Sequence, residues 1–267
     1  MRIIYLYIVK FISNLLAFYS HFKAKKIKID PFNVPIIINN RNRYSHLLKL
    51  LKSLEIRGYK NIIIIDNNST YEPLLDYYSK SPYRIIRLEK NLGFKSLENL
   101  PIYKELRKSY FVYTDSDLEI IDECPCDFMS YFIDKLKSYN NVQKIGFSLK
   151  IDDLPDCYLR KDEVVDWEKK FYSQELAKGL FLAPIDTTFA LHKPYALISI
   201  TGVFKMIRTD FPYQMRHLPW YDDSNSLTIE EKYYIQSVEI GTHWSKGIAL
   251  SKHSYINKIY SIFKKYF

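Results

Sequence analysis

Blocks of apolar and polar residues alternate regularly through the first half of the chain. Val34-Pro35-Ile36-Ile37-Ile38 is a β-branched run that gives way to Asn39-Asn40-Arg41-Asn42-Arg43, the pattern of a buried strand entering a loop. Residues 44–57, YSHLLKLLKSLEIR, put Leu47, Leu48, Leu51 and Leu54 on one helical face, and Gly58 stops that helix. A second apolar run, Asn61 to Ile65, ends in Asp66-Asn67-Asn68-Ser69-Thr70. Strand, helix and strand in this space make a βαβ unit, the opening of a doubly wound α/β sheet. The pattern continues with a helix over 72–80, a strand over 83–88, a turn at Asn91-Leu92-Gly93-Phe94 and a helix over 95–108 broken near Pro101. A fourth strand, 109–114, delivers Asp115-Ser116-Asp117 at its carboxyl end.

The second half is less regular. Strands are expected at 144–150, 186–192 and 200–207, followed by a polar stretch over 208–245. Residues 3–22, IIYLYIVKFISNLLAFYSHF, are almost continuously apolar and aromatic, but Lys10 sits in their middle. A spanning helix wants about 20 apolar residues with few charges, and a cleavage site near Ala24 is poor for a signal peptide. Beside a spanning anchor or a cleaved signal, two further readings stand. One is a helix in the membrane interface with Tyr5, Tyr7, Phe18 and Tyr19 at headgroup depth; the other is a helix packed on the domain. The tail 254–267, SYINKIYSIFKKYF, places Ile256, Ile259, Tyr260 and Phe263 at helical spacing between lysines, as a second membrane-facing element or a covering helix.

Charge sharpens the picture of the two ends. Lys and Arg number 39 against 30 Asp and Glu, a net charge of +9. Such an excess suits anionic partners. Lysines crowd Lys23, Lys25, Lys26 and Lys28 at one end and Lys258, Lys264 and Lys265 at the other. Two flanking patches fit an anionic membrane surface better than a nucleic-acid groove, which wants a basic stripe in the folded middle. The cysteines, Cys124, Cys126 and Cys157, form no disulfide framework or zinc pattern and point to a reducing compartment.

In an open α/β sheet, ligands sit beyond the carboxyl ends of the strands. The clusters at 39–43, 66–70 and 115–117 therefore address one crevice. Two carboxylates one residue apart on a strand tip can bind Mg2+ or Mn2+, with diphosphate oxygens completing the shell. The triplet alone is a common accident of surface loops; its weight comes from the strands around it.

The segments VPIIINNRNR, NIIIIDNNST, NLGF and YFVYTDSDLEI, in this order, resemble the nucleotide-binding half of a family-2 glycosyltransferase. The likeness is strong over 33–122 and continues more loosely through DTTFALH, RHLPWY and THWSK, which resemble a small bacterial branch of that family. The resemblance implies a GT-A fold, a Rossmann-like, mostly parallel sheet flanked by helices. It assigns Asp66, with Asn67, to the base of a UDP-sugar or other nucleoside diphosphate sugar, and Asn39, Asn40 and Arg43 to the nucleoside. Asp115, Ser116 and Asp117 go to ribose and metal. Each has a plainer counterpart: Asp66 and Asn67 as a turn or helix cap, Arg43 and Lys95 as solvated charges. Lys95, after the NLGF turn, is a candidate phosphate contact.

Sugar transfer with inversion needs a carboxylate or His to take the acceptor's proton. The Glu-Asp pair usual in the family has no clear copy here. Asp222, of Asp222-Asp223, stands in a comparable place and leads the candidates for the base, followed by Asp186 and His217. Trp220 and Tyr221 are candidates for stacking on an acceptor sugar, the alternative being plain core aromatics. By resemblance, His243 is a candidate further metal ligand, with His217 as substitute. His21, His46, His192 and His253 carry no context that singles them out.

The expected organisation is a basic apolar segment over 1–30, a GT-A domain over 31–253 and a basic aromatic tail over 254–267. Within the domain, 31–122 would bind nucleotide and 123–253 acceptor. By family, the setting is lipopolysaccharide or capsule synthesis on a glycan or lipid-linked glycan acceptor, peripheral on the inner face of the cell membrane. A nucleotidyltransferase is disfavoured because NNRNR lacks the glycine-rich loop such enzymes need. A catalytically degenerate GT-A domain serving as a membrane scaffold is the competing reading.

Overall fold

The structure is a computed structural model that describes residues 2–186, 188–196 and 205–238. It begins with a long helix, α1 (Arg2–Lys26), then β1 (Ile36–Asn40), α2 (Ser45–Glu55), β2 (Ile62–Asp66), α3 (Glu72–Lys80) and β3 (Arg84–Arg87). After two 3-10 turns come α4 (Tyr103–Leu106), β4 (Phe111–Asp115), β5 (Leu118–Ile120), α5 (Phe128–Ser138), β6 (Val142–Gly146) and β7 (Ser148–Leu149). The rest comprises α6 (Lys161–Glu168), β8 (Glu175–Ala177), β9 (Leu180–Leu182), β10 (Ala190–His192), β11 (Lys205–Thr209), β12 (Gln214–His217) and α7 (Ile229–Ser237).

One nine-stranded sheet organises the chain, in the order β3-β2-β1-β4-β10-β6-β11-β9-β8. The first four strands in that order are parallel. β10 inserts antiparallel between β4 and β6, and β11 runs parallel to β6. The sheet thus continues across the expected boundary at 122. Ile36, Ile38, Ile62 and Ile64 enter the main core, while Ile37, Ile65, Phe111 and Tyr113 form a cluster on the other face. A strand covered on both faces must be apolar throughout, which is why these segments read as unbroken isoleucine runs.

The early elements follow the sequence pattern closely. α2 buries Leu47, Leu50, Leu51 and Leu54, so Leu50 rather than the half-buried Leu48 completes the inward stripe. Gly58 takes φ +87, a left-handed conformation that costs glycine least. The expected helix over 95–108 is reduced to two 3-10 turns and the four-residue α4, because Pro101 has no N–H to give and restricts the residue before it.

The later elements depart further. The expected strand 144–150 splits into β6 and β7, and that over 186–192 shrinks to β10. Of 200–207, only 205 onward lies within the described residues, where β11 runs to Thr209. The polar stretch 208–245 holds β12 and α7. β12 pairs with β5 and β7 in a small second sheet, which carries part of the site. Gly146 permits this crowded region: a Cβ there would collide with the Phe189 carbonyl as β10 crosses β6.

Candidate active site

The carboxyl ends of β1, β2 and β4 lie on one rim, since Asn40 pairs with Asp66 and Asn39 with Asp115 across the ladder. The polar residues there brace one another. The Asn40 amide donates to the Tyr78 hydroxyl at 2.7 Å, and its oxygen accepts from Ser116 Oγ at 2.6 Å. The Asn39 oxygen accepts from Ser96 Oγ at 2.8 Å. Asn67 holds the NLGF turn on the sheet, accepting from Leu92 N at 2.7 Å and donating to the Gly93 carbonyl at 3.0 Å.

Asp66 is fully buried. It accepts from Ser69 N at 3.2 Å and from Arg87 Nε at 3.1 Å. In this arrangement its carboxylate is structural, shaping the loop at the end of β2. Arg43 is likewise buried, paired with Glu231 of α7 and lying 3.5 Å from the centroid of the Tyr234 ring. That environment excludes its reading as a solvated charge. Lys95 is exposed near the Phe94 ring.

The two carboxylates of Asp115-Ser116-Asp117 occupy different surroundings. Asp115 ends β4, is partly exposed, and exerts its charge on Tyr113. Asp117 faces the second sheet, where β12 lies against β5 with His217 opposite Leu118. Leu218 N donates to the Asp117 carbonyl at 2.8 Å. This registry brings His217 Nε2 to 3.7 Å from Asp117 Oδ2, with 18% and 17% of the two side chains exposed.

Burial pushes the Asp117 carboxyl up, but His217, Arg43 and His46 outweigh it and hold it below its ordinary range. Burial lowers His217; the Asp117 charge opposes that, while Arg43 and His46 add to it. A neutral imidazole beside an ionised carboxylate results, the protonation state a metal ligand requires.

Asp222 joins the same cluster. Its Oδ2 lies 3.6 Å from His46 Nε2 on the first turn of α2. Burial raises the Asp222 carboxyl, while His46, Arg43 and Lys49 bring it below its ordinary value. It is ionised at neutral pH, as a general base must be. Asp186 is exposed and lies four residues before β10, its carbonyl accepting from the Lys144 ammonium at 3.3 Å.

The two aromatic candidates separate. Trp220 is 2% exposed and packs within the main core, against the His217 ring at 4.6 Å between centroids. A ring so enclosed has no face for a sugar, so Trp220 is corrected from an acceptor contact to a core residue that backs His217. Tyr221 is partly exposed, its hydroxyl donating to Asp153 at 2.5 Å. His243 lies outside the described residues, as does the tail 254–267.

Sequence reasoning missed His46 and the acidic pair of α7. Glu230 accepts from Tyr44 N at 2.7 Å and Ser45 N at 2.9 Å, supplying the cap that the N-terminus of α2 lacks locally. Thr228 Oγ1 accepts from Glu231 N at 3.1 Å. That half of a capping box, T-x-x-E, was readable in the sequence; the partnership of Glu231 with Arg43 was not.

The residues at Asp117 fit a divalent cation. Asp117 Oδ1 and His217 Nδ1 are buried without a hydrogen-bond partner. Oxygen and imidazole nitrogen suit Mn2+ or, less well, Mg2+. Among the described residues no group of three or more His, Cys, Asp or Glu side chains is arranged to hold a metal, so ligand oxygens would have to complete the shell.

A doubly wound sheet whose polar strand ends and acidic triplet share one crevice defines a GT-A glycosyltransferase. The chain belongs to glycosyl transferase family 2, whose sequence model matches residues 36–190, more than half its length. No curated protein matches it. Among solved structures it is similar to GalNAc-T7 crystallised with UDP, GalNAc and Mn2+, at 12% identity and a TM-score of 0.45. That match covers 69% of this chain but only 43% of the other. It is also similar to residues 1–349 of S. aureus TarS, at 14% identity and a TM-score of 0.42, covering 87% of this chain and 70% of that one.

Proposed function

We propose that the chain transfers one sugar, with inversion, from a nucleoside diphosphate sugar to a hydroxyl of a glycan or lipid-linked glycan. A UDP-sugar is the favoured donor. The setting is surface polysaccharide or lipopolysaccharide synthesis at the inner face of the cell membrane. The observation that carries the reading is the convergence of Asp117, His217, His46 and Asp222 at the rim where β1, β2 and β4 end.

In this mechanism the nucleotide lies over the ends of β1 and β2, in a pocket shaped by Asn39, Asn40, Asp66 and Asn67. Asp115 is assigned to the ribose, and the exposed Lys95 to a phosphate. Asp117 and His217, with His243 as a further candidate, would hold Mn2+ or Mg2+. Such a cation, when bound, neutralises charge on the departing diphosphate. Asp222 takes the acceptor hydroxyl's proton while its oxygen forms the bond to the anomeric carbon and the bond to the diphosphate oxygen breaks. His46 holds the Asp222 carboxylate in position, and Tyr221 borders the acceptor side.

The test is a donor-panel assay on wild type and Asp117→Ala, with calorimetry of nucleoside diphosphate binding with and without Mn2+. Turnover of one donor by wild type and its loss in the variant are expected. If wild type consumes no donor and binds no diphosphate in a metal-dependent way, the scaffold reading replaces this one.

A further inference from the structure

The helix α1 docks on the domain with its sides reversed. Its inward face is Ala17, Ser20, His21 and Ala24, all buried, four small or polar residues at helical spacing. The Ala24 carbonyl accepts from the Tyr110 hydroxyl at 2.8 Å, and His21 Nδ1 lies 3.3 Å from the buried Lys193 ammonium. The outward face carries the large apolar groups. Phe11, Leu15, Phe18 and Phe22 are 65%, 53%, 69% and 46% exposed, and their spacing aligns them in one stripe.

A helix stabilised only by its own domain turns its large apolar residues inward and its polar ones to water. Isolated exposed apolar residues need no explanation, but a continuous stripe marks an interaction surface. Lysines lie at its carboxyl-terminal end. Lys25, Lys26 and Lys28 are exposed and Lys23 partly so, and no acidic residue intervenes before Asp30. The Lys26 ammonium lies 4.1 Å from the centroid of the Phe22 ring, so charge and apolar surface are contiguous. No helix among the described residues is long and apolar enough to cross a membrane.

We infer that the outward stripe of α1 lies in the interface of an anionic bilayer, with Phe11, Leu15, Phe18 and Phe22 among the acyl chains and the lysines on acidic headgroups. Both halves of the surface are satisfied by such a bilayer. A second copy of the chain would cover the apolar stripe but leave the lysines without counter-charge. The stripe extends the expected interfacial helix by naming its membrane face: Phe18 belongs to it, and Tyr19 flanks it. The side chains of Tyr5 and Tyr7 lie outside the described residues.

The attachment point also orients the enzyme. Tyr110 immediately precedes β4, whose far end carries Asp115, and Lys193 follows β10, whose opposite end adjoins that same rim. α1 therefore meets the domain at the end of the sheet away from the crevice. Membrane docking and turnover of a water-soluble acceptor should be separable.

The experiment is flotation of the full chain with vesicles of phosphatidylcholine alone and of phosphatidylcholine with phosphatidylglycerol, alongside sedimentation velocity. Wild type is expected to float with the anionic vesicles as a monomer. The combined variant Phe11→Ser, Leu15→Ser, Phe18→Ser, Phe22→Ser should lose at least about tenfold in partitioning and keep the far-ultraviolet circular dichroism of the fold. Replacing Lys23, Lys25, Lys26 and Lys28 by Gln should remove the preference for anionic vesicles. Equal flotation of wild type and the serine variant would overturn the inference, as would a wild-type dimer that the serine variant dissolves. Neither readout involves glycosyl transfer, so the result stands apart from the proposed reaction.

Discussion

His217 Nε2 lies 3.7 Å from Asp117 Oδ2 because β12 folds back beside β5, immediately after the acidic triplet. The pairing joins the two halves of the chain at one point, with Arg43 and His46 near enough to influence both groups.

The pair should control metal-dependent nucleotide binding. Asp117→Asn is expected to abolish the Mn2+-dependent component of UDP binding in calorimetry. His217→Ala should weaken it by about 10- to 100-fold, the scale seen when groups supporting a metal are lost. Unchanged Mn2+ dependence in both variants would remove these residues from the metal site.

Asp222 and His46 should separate by their effects on rate. Loss of a general base costs roughly 10^2- to 10^4-fold, so Asp222→Asn should lower kcat on that scale with little change in donor KM. His46→Gln should lower kcat less, because the carboxylate remains but loses its orienting neighbour. Asp223→Asn is the control, expected near wild type. If Asp223→Asn is the slower enzyme, the assignment of the base moves.

The clasp of α7 on the nucleotide loop should be visible as stability. Arg43 and Glu231 have 5% and 9% of their side chains exposed. Removing one partner of a buried ion pair costs about 3–5 kcal/mol. Glu231→Ala is expected to lose an amount near the lower end, since the Arg43 guanidinium keeps its contact with Tyr234. Urea denaturation measures it; a loss below about 0.5 kcal/mol, typical of exposed pairs, would show that solvent screens the pair.

Two buried lysines predict a pH dependence. Burial pushes Lys193 down to about 7, helped by Lys25, and burial pushes Lys144 down to about 8. An unfolded chain holds these protons up to about pH 10.4. Above the folded values the unfolded state therefore binds more protons, and stability rises with pH. Unfolding free energy should increase from pH 7 to about 8, before most of the cysteine and tyrosine of the unfolded chain ionises, and the rise should be shallower in Lys193→Met. A slope that is flat or falling in wild type would contradict it.

Gly146 should tolerate no side chain. Gly146→Ala drives a methyl against the Phe189 backbone, and overpacking of this kind costs about 1–3 kcal/mol. A melting temperature equal to wild type would mean that β10 yields at that crossing.

What the sequence alone determined is the first half of the sheet. Strands buried on both faces must be apolar throughout, so Ile36–Asn40 and Ile62–Asp66 announced themselves, and parallel strands fixed that Asn39, Asp66 and Asp115 share a rim. Pro101 and Gly58 wrote their breaks just as locally. What only the tertiary structure decided is which polar groups are open to a ligand. Asp66 pairs with Arg87 and Arg43 with Glu231, partnerships that no local pattern announced, and Trp220 looked like a sugar platform but is core. His46 had no local signature, because its meaning comes from Asp222 on a distant segment. Periodicity reports burial of a face along one element; it carries no information about which side chain arrives from another.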